Sequence, residues 1–336
     1  MKIVPSPAAL PGPSGARRSH RAASVVLLAV LLLTVAVGRM AAQSCFTNSE
    51  IDPATRSSLE SAAAQDFRLA QQNPATLRPA AEFDLAEIIA ASQDLFQGQP
   101  SVRAVYLLEH TQGSSQHNEF FCGVYNSPQR VVLLFGGMPV GRYAVVIQDV
   151  AASPAGTVSW VFHLTAGQWR IAGLIAKPSQ LAGHDGNWFL AQARAFRAKG
   201  QNLNAWLYYR LAFDLLQPLG AMTTPLLEHI DDELQQSTPA GMPSSARFAD
   251  LSLDGRTVTL TAVFPVPAGH DLDLVVKYQR SDISDIVATY QSNLSVSRGL
   301  VARYPELRAA FTAIVARALD PGGKEYGTLL ALSDIQ

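Results

Sequence analysis

Histidine and carboxylate side chains stand close together in sequence at three places, and such groups can act as acids and bases or bind a metal ion. The three places are His184-Asp185, His229-x-Asp231-Asp232-Glu233 and His270-Asp271-x-Asp273. In the third, alternation along a strand would put both aspartates on one face, but a hard cation such as Ca²⁺ needs more oxygen ligands than these. We interpret the first as a helix entry capped by Asp185 or Asn187, the second as a solvated helix face and the third as a turn.

No other pattern in the chain predicts catalysis or a bound cofactor. The sequence contains no His-x-x-x-His spacing of a zinc helix, no Gly-x-Ser-x-Gly turn and no phosphate-binding loop. We accordingly expect no metal and no cofactor.

The chain has two cysteines, Cys45 and Cys122. An even count in an exported protein favours a disulfide, which here would tie the mature N-terminus to a strand. Two alternatives stay open. One is lipidation of Cys45, because Ala42-Gln43-Ser44-Cys45 loosely resembles a bacterial lipobox, and the other is a pair of free thiols. Catalysis by Cys122 is not expected, because a buried or disulfide-bonded thiol is inert.

The first 44 residues are predicted to be a signal peptide of bacterial type. Basic residues precede an apolar run over 22–37, small residues follow it, and no acidic residue occurs before Glu50. The run has 16 residues, whereas a membrane span needs about 20, so an uncleaved anchor is the alternative. In both cases we expect an exported protein, periplasmic or extracellular, which meets the membrane only through an uncleaved or lipidated N-terminus.

The charge of the chain excludes one class of partner. The whole chain carries a formal charge of −1, but removal of the five basic residues of the leader leaves 21 basic against 27 acidic side chains, or −6. No basic stripe with interleaved aromatic residues is present, so we do not expect nucleic acid to be a partner.

Periodicity predicts an α+β protein with antiparallel sheets. Between 52 and 178, two helices (about 52–72 and 80–98) precede six strands that are joined by short turns. We expect these strands to form one antiparallel meander, with the helices covering one face. The predicted strands are 102–109, 119–125, 129–135, 143–150, 157–165 and 168–177.

The end of this region carries a Gly-x-Trp-x-Ile-x-Gly pattern, formed by Gly167, Trp169, Ile171 and Gly173. With helices before a curved sheet, the region 52–178 resembles the nuclear-transport-factor-like cone fold. That fold hosts isomerases, dehydratases and non-catalytic binding domains, so the resemblance does not itself supply a function. Its enzymes usually place an Asp/His pair inside the cone, and the resemblance therefore makes three residues candidates for catalysis. They are His110, Asp149 and His163.

The region 183–236 is predicted to be a helical hairpin followed by one more helix, with Gly200 in the hairpin turn. Its part 188–218 resembles a single degenerate tetratricopeptide repeat. The matching residues are Ala193, Ala195, Phe196, Gly200, Ala205, Tyr209, Ala212 and Leu215. No second copy follows at a period of about 34 residues, so an ordinary helical hairpin is the alternative. Trp206 and Tyr208 are the candidates for partner binding.

A polar stretch over 237–246 is the predicted linker to a C-terminal α+β domain, 247–336. There we expect a hairpin of strands 256–264 and 272–279, helices over 283–294 and 307–318, and a final strand over 326–332. The predicted arrangement is a sheet of about three or four strands with both helices on one face.

Three functions are compatible with these features. We favour a non-catalytic exported protein of the bacterial envelope that binds a protein partner or a small apolar ligand. The first alternative is an enzyme of isomerase or hydrolase type that works by general acid–base chemistry inside the cone-like domain. The second is an envelope assembly subunit that docks through the helical hairpin.

Overall fold

A computed structural model of the chain describes residues 43–80, 85–111, 117–244, 247–253 and 255–335. The apolar run 22–37 of the predicted signal peptide lies outside these residues. Within them, no helix combines the length and the apolar character that crossing a membrane requires.

The chain is an α+β protein, as predicted. The elements of the first half are β1 (Ser44–Phe46), α1 (Pro53–Gln72), α2 (Leu85–Ala91), α3 (Gln93–Phe96), β2 (Gln99–His110), β3 (Asn118–Cys122), β4 (Val131–Phe135), β5 (Gly141–Ala151), β6 (Gly156–Thr165) and β7 (Gln168–Pro178). The middle contains β8 (Gln180–Leu181), β9 (His184–Asp185), α4 (Gly186–Ala198), α5 (Asn202–Leu216), β10 (Met222–Thr223) and α6 (Pro225–Ser237). The last part contains β11 (Ala249–Leu253), β12 (Arg256–Ala268), β13 (Asp271–Gln279), α7 (Ile286–Arg303), β14 (Ala313–Leu319) and β15 (Glu325–Ala331).

The first half is built on a five-stranded antiparallel sheet in the order β1-β2-β5-β6-β7. Its central strands are apolar on both faces, so both faces must be covered. Helices α1 to α3 cover one face, where the Phe96 ring contacts both Phe67 and Trp160.

Strands β3 and β4 leave this sheet and form a small one with β10, in the order β10-β4-β3. The buried side of the small sheet, which includes Phe120 and Leu133, packs against Val145 and Ile147 on the second face of the large sheet. The prediction of one six-stranded meander is therefore wrong in its middle, where β2 pairs directly with β5. The reason is that β3 and β4 have an apolar face of their own, which is buried when they fold over the large sheet.

A disulfide joins Cys45 of β1 to Cys122 of β3, with 4.9 Å between the two Cα atoms. Because β1 pairs with β2 of the large sheet, this bond links the two sheets covalently. The sequence left open a disulfide, lipidation of Cys45 or two free thiols. The structure contains the disulfide, and neither thiol is free. The side chain of Gln43 donates a hydrogen bond of 3.0 Å to Asn118 at the same junction.

The predicted helical hairpin is present as α4 and α5. Asp185, one of the two predicted caps, accepts a hydrogen bond of 2.8 Å from the backbone N–H of Trp188. In the turn, Gly200 has a φ of 72°, which a residue without a Cβ adopts without strain. At the start of α4, a Cβ on Gly186 would lie only 2.5 Å from Cγ of Leu216, so glycine permits the close approach of the two helices.

The last part contains a five-stranded sheet in the order β11-β12-β13-β14-β15. The predicted hairpin, first helix and final strand are present, but the second predicted helix, 307–318, is wrong. A short 3₁₀ helix, Pro305–Ala309, occurs there instead, followed by β14, which lies parallel to β13. Ile314, Ala316 and Ala318 are fully buried, and a short apolar run does not distinguish a central strand from a buried helix. Strand β11 was not predicted at all.

The hairpin connects the two halves physically. It shares one apolar core with the last sheet, in which Phe189 lies together with Leu274. The segment after α5 contacts the first half instead, where the hydroxyl of Ser159 donates a hydrogen bond of 3.1 Å to the carbonyl of Pro218. Strand β10 follows directly and pairs with β4.

Replacement of both cysteines (Cys45→Ala with Cys122→Ala) should lower the free energy of unfolding by about 2–4 kcal/mol. The physical reason is that the disulfide closes a loop across 77 residues of the unfolded chain. Urea unfolding followed by circular dichroism measures the change. Reductant should shift the midpoint of the native chain but not that of the double variant, and equal midpoints for the oxidised and reduced native chain would contradict a stabilising role.

Candidate functional site

The three predicted acid–base residues do not come together. His110 is buried, and its Nδ1 donates a hydrogen bond of 2.9 Å to a backbone carbonyl. His163 stacks on Tyr143 with 4.3 Å between the ring centroids. Asp149 lies six residues beyond Tyr143 on β5, a distance of about 20 Å, and forms an ion pair of 3.2 Å with Arg103. The carboxylate is therefore too far from the imidazoles for direct proton transfer.

Side chains fill the space between the first helices and the large sheet. Phe96, Trp160 and Phe162 are each at most 1 % exposed there. The indole N–H of Trp160 donates a hydrogen bond of 2.8 Å to the side chain of Gln148, so its polar atom has a partner. This region is an apolar core.

Two of the three acidic–histidine groupings meet at one cleft of about 370 Å³. His184 lies in β9 just before α4, whereas His270 and Asp271 lie at the turn from β12 to β13. Gly269 has a φ of 67° in this turn, where a side chain would be strained. We call this site the aromatic–histidine cleft. Its other walls are Ala182, Trp188, Phe189, Tyr208, Leu272, Arg308, Ala309, Ala310, Phe311 and Thr312.

Aromatic rings form the inner wall of the aromatic–histidine cleft. The imidazole of His184 stacks on the indole of Trp188, with 3.7 Å between centroids and 8° between ring planes. Tyr208 contacts Phe311 edge to face, and its hydroxyl donates a hydrogen bond of 3.1 Å to a backbone carbonyl. Burial, and after it the negative charge of Asp271, raises the pKa of Tyr208 to about 12. The hydroxyl therefore stays neutral at physiological pH.

Polar groups lie at the rim of this cleft. Asp271 is exposed, and Arg308 donates hydrogen bonds to the backbone carbonyls of Leu332 and Ile335. Neither serine nor cysteine is among the lining residues that the structure describes. In the same described part of the chain, no three His, Cys, Asp or Glu side chains lie close enough together to hold a metal ion. The arrangement can hold a small molecule with its apolar part against the aromatic wall and a polar end at the mouth.

The two predicted partner-binding residues lie in the interior. Trp206 and Tyr208 are each 5 % exposed, and the guanidinium of Arg210 lies over the Trp206 ring, 4.7 Å from its centroid. Neither side chain therefore offers an outer face to a partner protein. Helix α5 is apolar on nearly all sides, so its sequence pattern could not distinguish an exposed aromatic residue from a buried one.

A second cleft, of about 660 Å³, lies between α1 and the turn from β6 to β7. We call it the Asp66 cleft. Its charged lining residues are Asp66, Arg78 and Arg170, and Leu69 and Trp169 add apolar surface. Burial raises the pKa of the Asp66 carboxyl to about 6, and no hydrogen bond or ion pair with another described residue offsets this burial.

No pattern in the sequence predicts the Asp66 cleft. Asp66 is one of many polar residues on α1, and nothing in the helix pattern separates it from a solvated one. The cleft depends on the segment after α1, where the N–H of Ala80 donates a hydrogen bond of 2.7 Å to the carbonyl of Ile171 on β7. The one local signal for this cleft is Trp169, but this residue is also part of the Gly-x-Trp-x-Ile-x-Gly strand pattern.

Comparisons of the chain with protein-family models, with curated proteins and with solved structures find no match. The resemblances to the cone fold and to a tetratricopeptide repeat stay predictions. Function is therefore inferred from the two clefts.

Asp66→Asn should raise the free energy of unfolding near pH 8 and leave it unchanged near pH 3. Because the carboxyl pKa is higher in the folded protein than in the unfolded chain, the folded state binds more protons and loses stability as the pH rises from about 4 to about 6. The side chain is partly exposed, so we expect a gain of about 1 kcal/mol after solvent screening. Urea unfolding across this pH range measures the gain.

Asp232→Asn, at an exposed position of α6, is the matched control and should show no pH-dependent gain. If the Asp66→Asn variant gained the same free energy of unfolding near pH 3 and near pH 8, the ionisation of Asp66 would not be the cause of the gain.

Proposed function

We propose that this chain is an exported, non-catalytic protein of the bacterial envelope that binds a small apolar ligand in the aromatic–histidine cleft. The observation that carries the proposal is the convergence of His184, His270 and Asp271 on a cleft with aromatic walls. His184 is distant in sequence from His270 and Asp271, which are adjacent to each other. A few polar groups at the edge of an apolar cavity are typical of ligand sites, where they orient the bound molecule.

The size and walls of the cleft fit a small molecule. A volume of about 370 Å³ falls in the range of about 300–1,000 Å³ for ligand pockets. Phe189 and Tyr208 are held in the hairpin core, so this wall is formed before binding and little ordering is needed. Asp271 and His270 at the mouth are placed to bind one polar end. We expect a ligand with a planar apolar body and a polar group at one end.

Two features support export. The basic flank and the apolar run 22–37 are typical of a secretory signal. The Cys45–Cys122 disulfide is compatible with an oxidising compartment outside the cytoplasm.

The two alternatives have less support from the geometry. For acid–base catalysis, Asp149 lies about 20 Å along the strand from the position that pairs with His163. For docking through the hairpin, Trp206 and Tyr208 would have to be accessible, but both are buried.

The neutral fluorescent probe N-phenyl-1-naphthylamine, which carries two apolar aromatic groups on one N–H, tests the aromatic–histidine cleft. We expect saturable binding to one site per chain. Ala309→Trp places a large ring at an exposed lining position and should weaken binding at least about tenfold, because the ring occupies the space of the probe. Fluorescence titration measures the affinity.

Ala86→Trp, at an exposed position of α2, is the matched control and should bind the probe like the native chain. Melting temperatures establish first that both variants are folded. Equal affinities of the two tryptophan variants would refute binding at this cleft. Turnover in a broad hydrolase and isomerase screen, abolished by His163→Ala, would refute the non-catalytic assignment.

A further inference from the structure

The Asp66 cleft is separate from the aromatic–histidine cleft and is formed by other elements. Helix α1 provides Asp66, the segment after it provides Arg78, and the turn from β6 to β7 provides Trp169 and Arg170. At about 660 Å³, it is the larger of the two clefts. The proposed function makes no use of it.

Charges of both signs line the Asp66 cleft without pairing. Asp66 has no hydrogen-bond or ion-pair partner among the described residues. In the same part of the chain, neither Arg78 nor Arg170 forms an ion pair, although Arg170 donates a hydrogen bond of 2.9 Å to the side chain of Gln168. An unpaired, half-buried carboxylate is unfavourable, so a ligand cation that replaces its lost water would bind favourably.

A ligand with a single charge would match only part of this lining. A lone cation at Asp66 would leave the two guanidinium groups without an anionic partner, and a lone anion at the arginines would leave Asp66 unpaired. A molecule with an ammonium and a carboxylate on the same carbon meets both requirements. Guanidinium groups bind carboxylates through paired hydrogen bonds, and Leu69 and Trp169 offer apolar surface to the remainder of such a molecule.

We infer that the Asp66 cleft binds the zwitterion of a free α-amino acid, with its ammonium at Asp66 and its carboxylate at Arg78 and Arg170. This binding is independent of the ligand in the aromatic–histidine cleft. It gives the protein two sites of different chemistry, one apolar and one zwitterionic.

Isothermal titration calorimetry with each of the twenty common amino acids tests this inference, near pH 8, where Asp66 is ionised. At least one amino acid should bind with a dissociation constant below about 1 mM. Its N-acetyl and methyl-ester derivatives each lack one of the two charges. Each derivative should therefore bind at least about tenfold more weakly than its parent.

Substitutions of the lining residues test whether the amino acid binds in the Asp66 cleft. Asp66→Asn should weaken binding at least about tenfold, and so should Arg78→Gln combined with Arg170→Gln. Arg68→Gln, an exposed position of α1 outside the cleft, is the matched control and should bind like the native chain. Ala309→Trp should also leave amino-acid binding unchanged, which separates this site from the aromatic–histidine cleft.

Failure of all twenty amino acids to bind would overturn the inference. So would an N-acetyl derivative that binds as tightly as its parent. Native affinity in the Asp66→Asn variant would overturn it as well, because that variant is expected to be at least as stable as the native chain.

Discussion

The large sheet of the first half is apolar on both faces, and the arrangement of the other elements depends on covering both. Along β5, Ala144 and Val146 face the helices, whereas Val145 and Ile147 face the small sheet, and all four are at most 2 % exposed. Helices alone cover only one side. The second side needs β3, β4 and β10, and β10 comes from beyond the hairpin in sequence. The second face of this sheet is therefore covered in part by residues that come much later in the sequence.

The hairpin that connects the two halves also forms one wall of the aromatic–histidine cleft. The end of α5 is attached to the first half by hydrogen bonds to the carbonyls of Gln217 and Pro218, of 3.0 and 3.1 Å. The opposite side of the hairpin packs into the core of the last sheet. The cleft lies where the start of α4 meets the turn before β13, so its geometry depends on how the hairpin packs against the last part of the chain.

Local periodicity was sufficient for elements that bury one face against one neighbour. Helices α1 and α4 occur close to their predicted bounds for this reason. Strand β14 was predicted as a helix because a short apolar run does not distinguish a buried strand from a buried helix. Strands β3 and β4 were placed in the wrong sheet because periodicity shows a strand but not its partner. The two clefts could not be predicted from periodicity. His184 and His270 were each visible as part of a local motif, but their meeting depends on tertiary packing, and Asp66 has no local motif at all.

Strand β10 has only two residues, Met222 and Thr223, and both pair with β4. This short pairing has a consequence for the evolution of the gene. Recombination that exchanged everything after β9 for an unrelated segment would remove β10 from the small sheet and expose the edge of β4 at which Leu133 pairs with Met222. The second face of the large sheet would then lose part of its cover, so a breakpoint at that place would disturb the first half as well as the second.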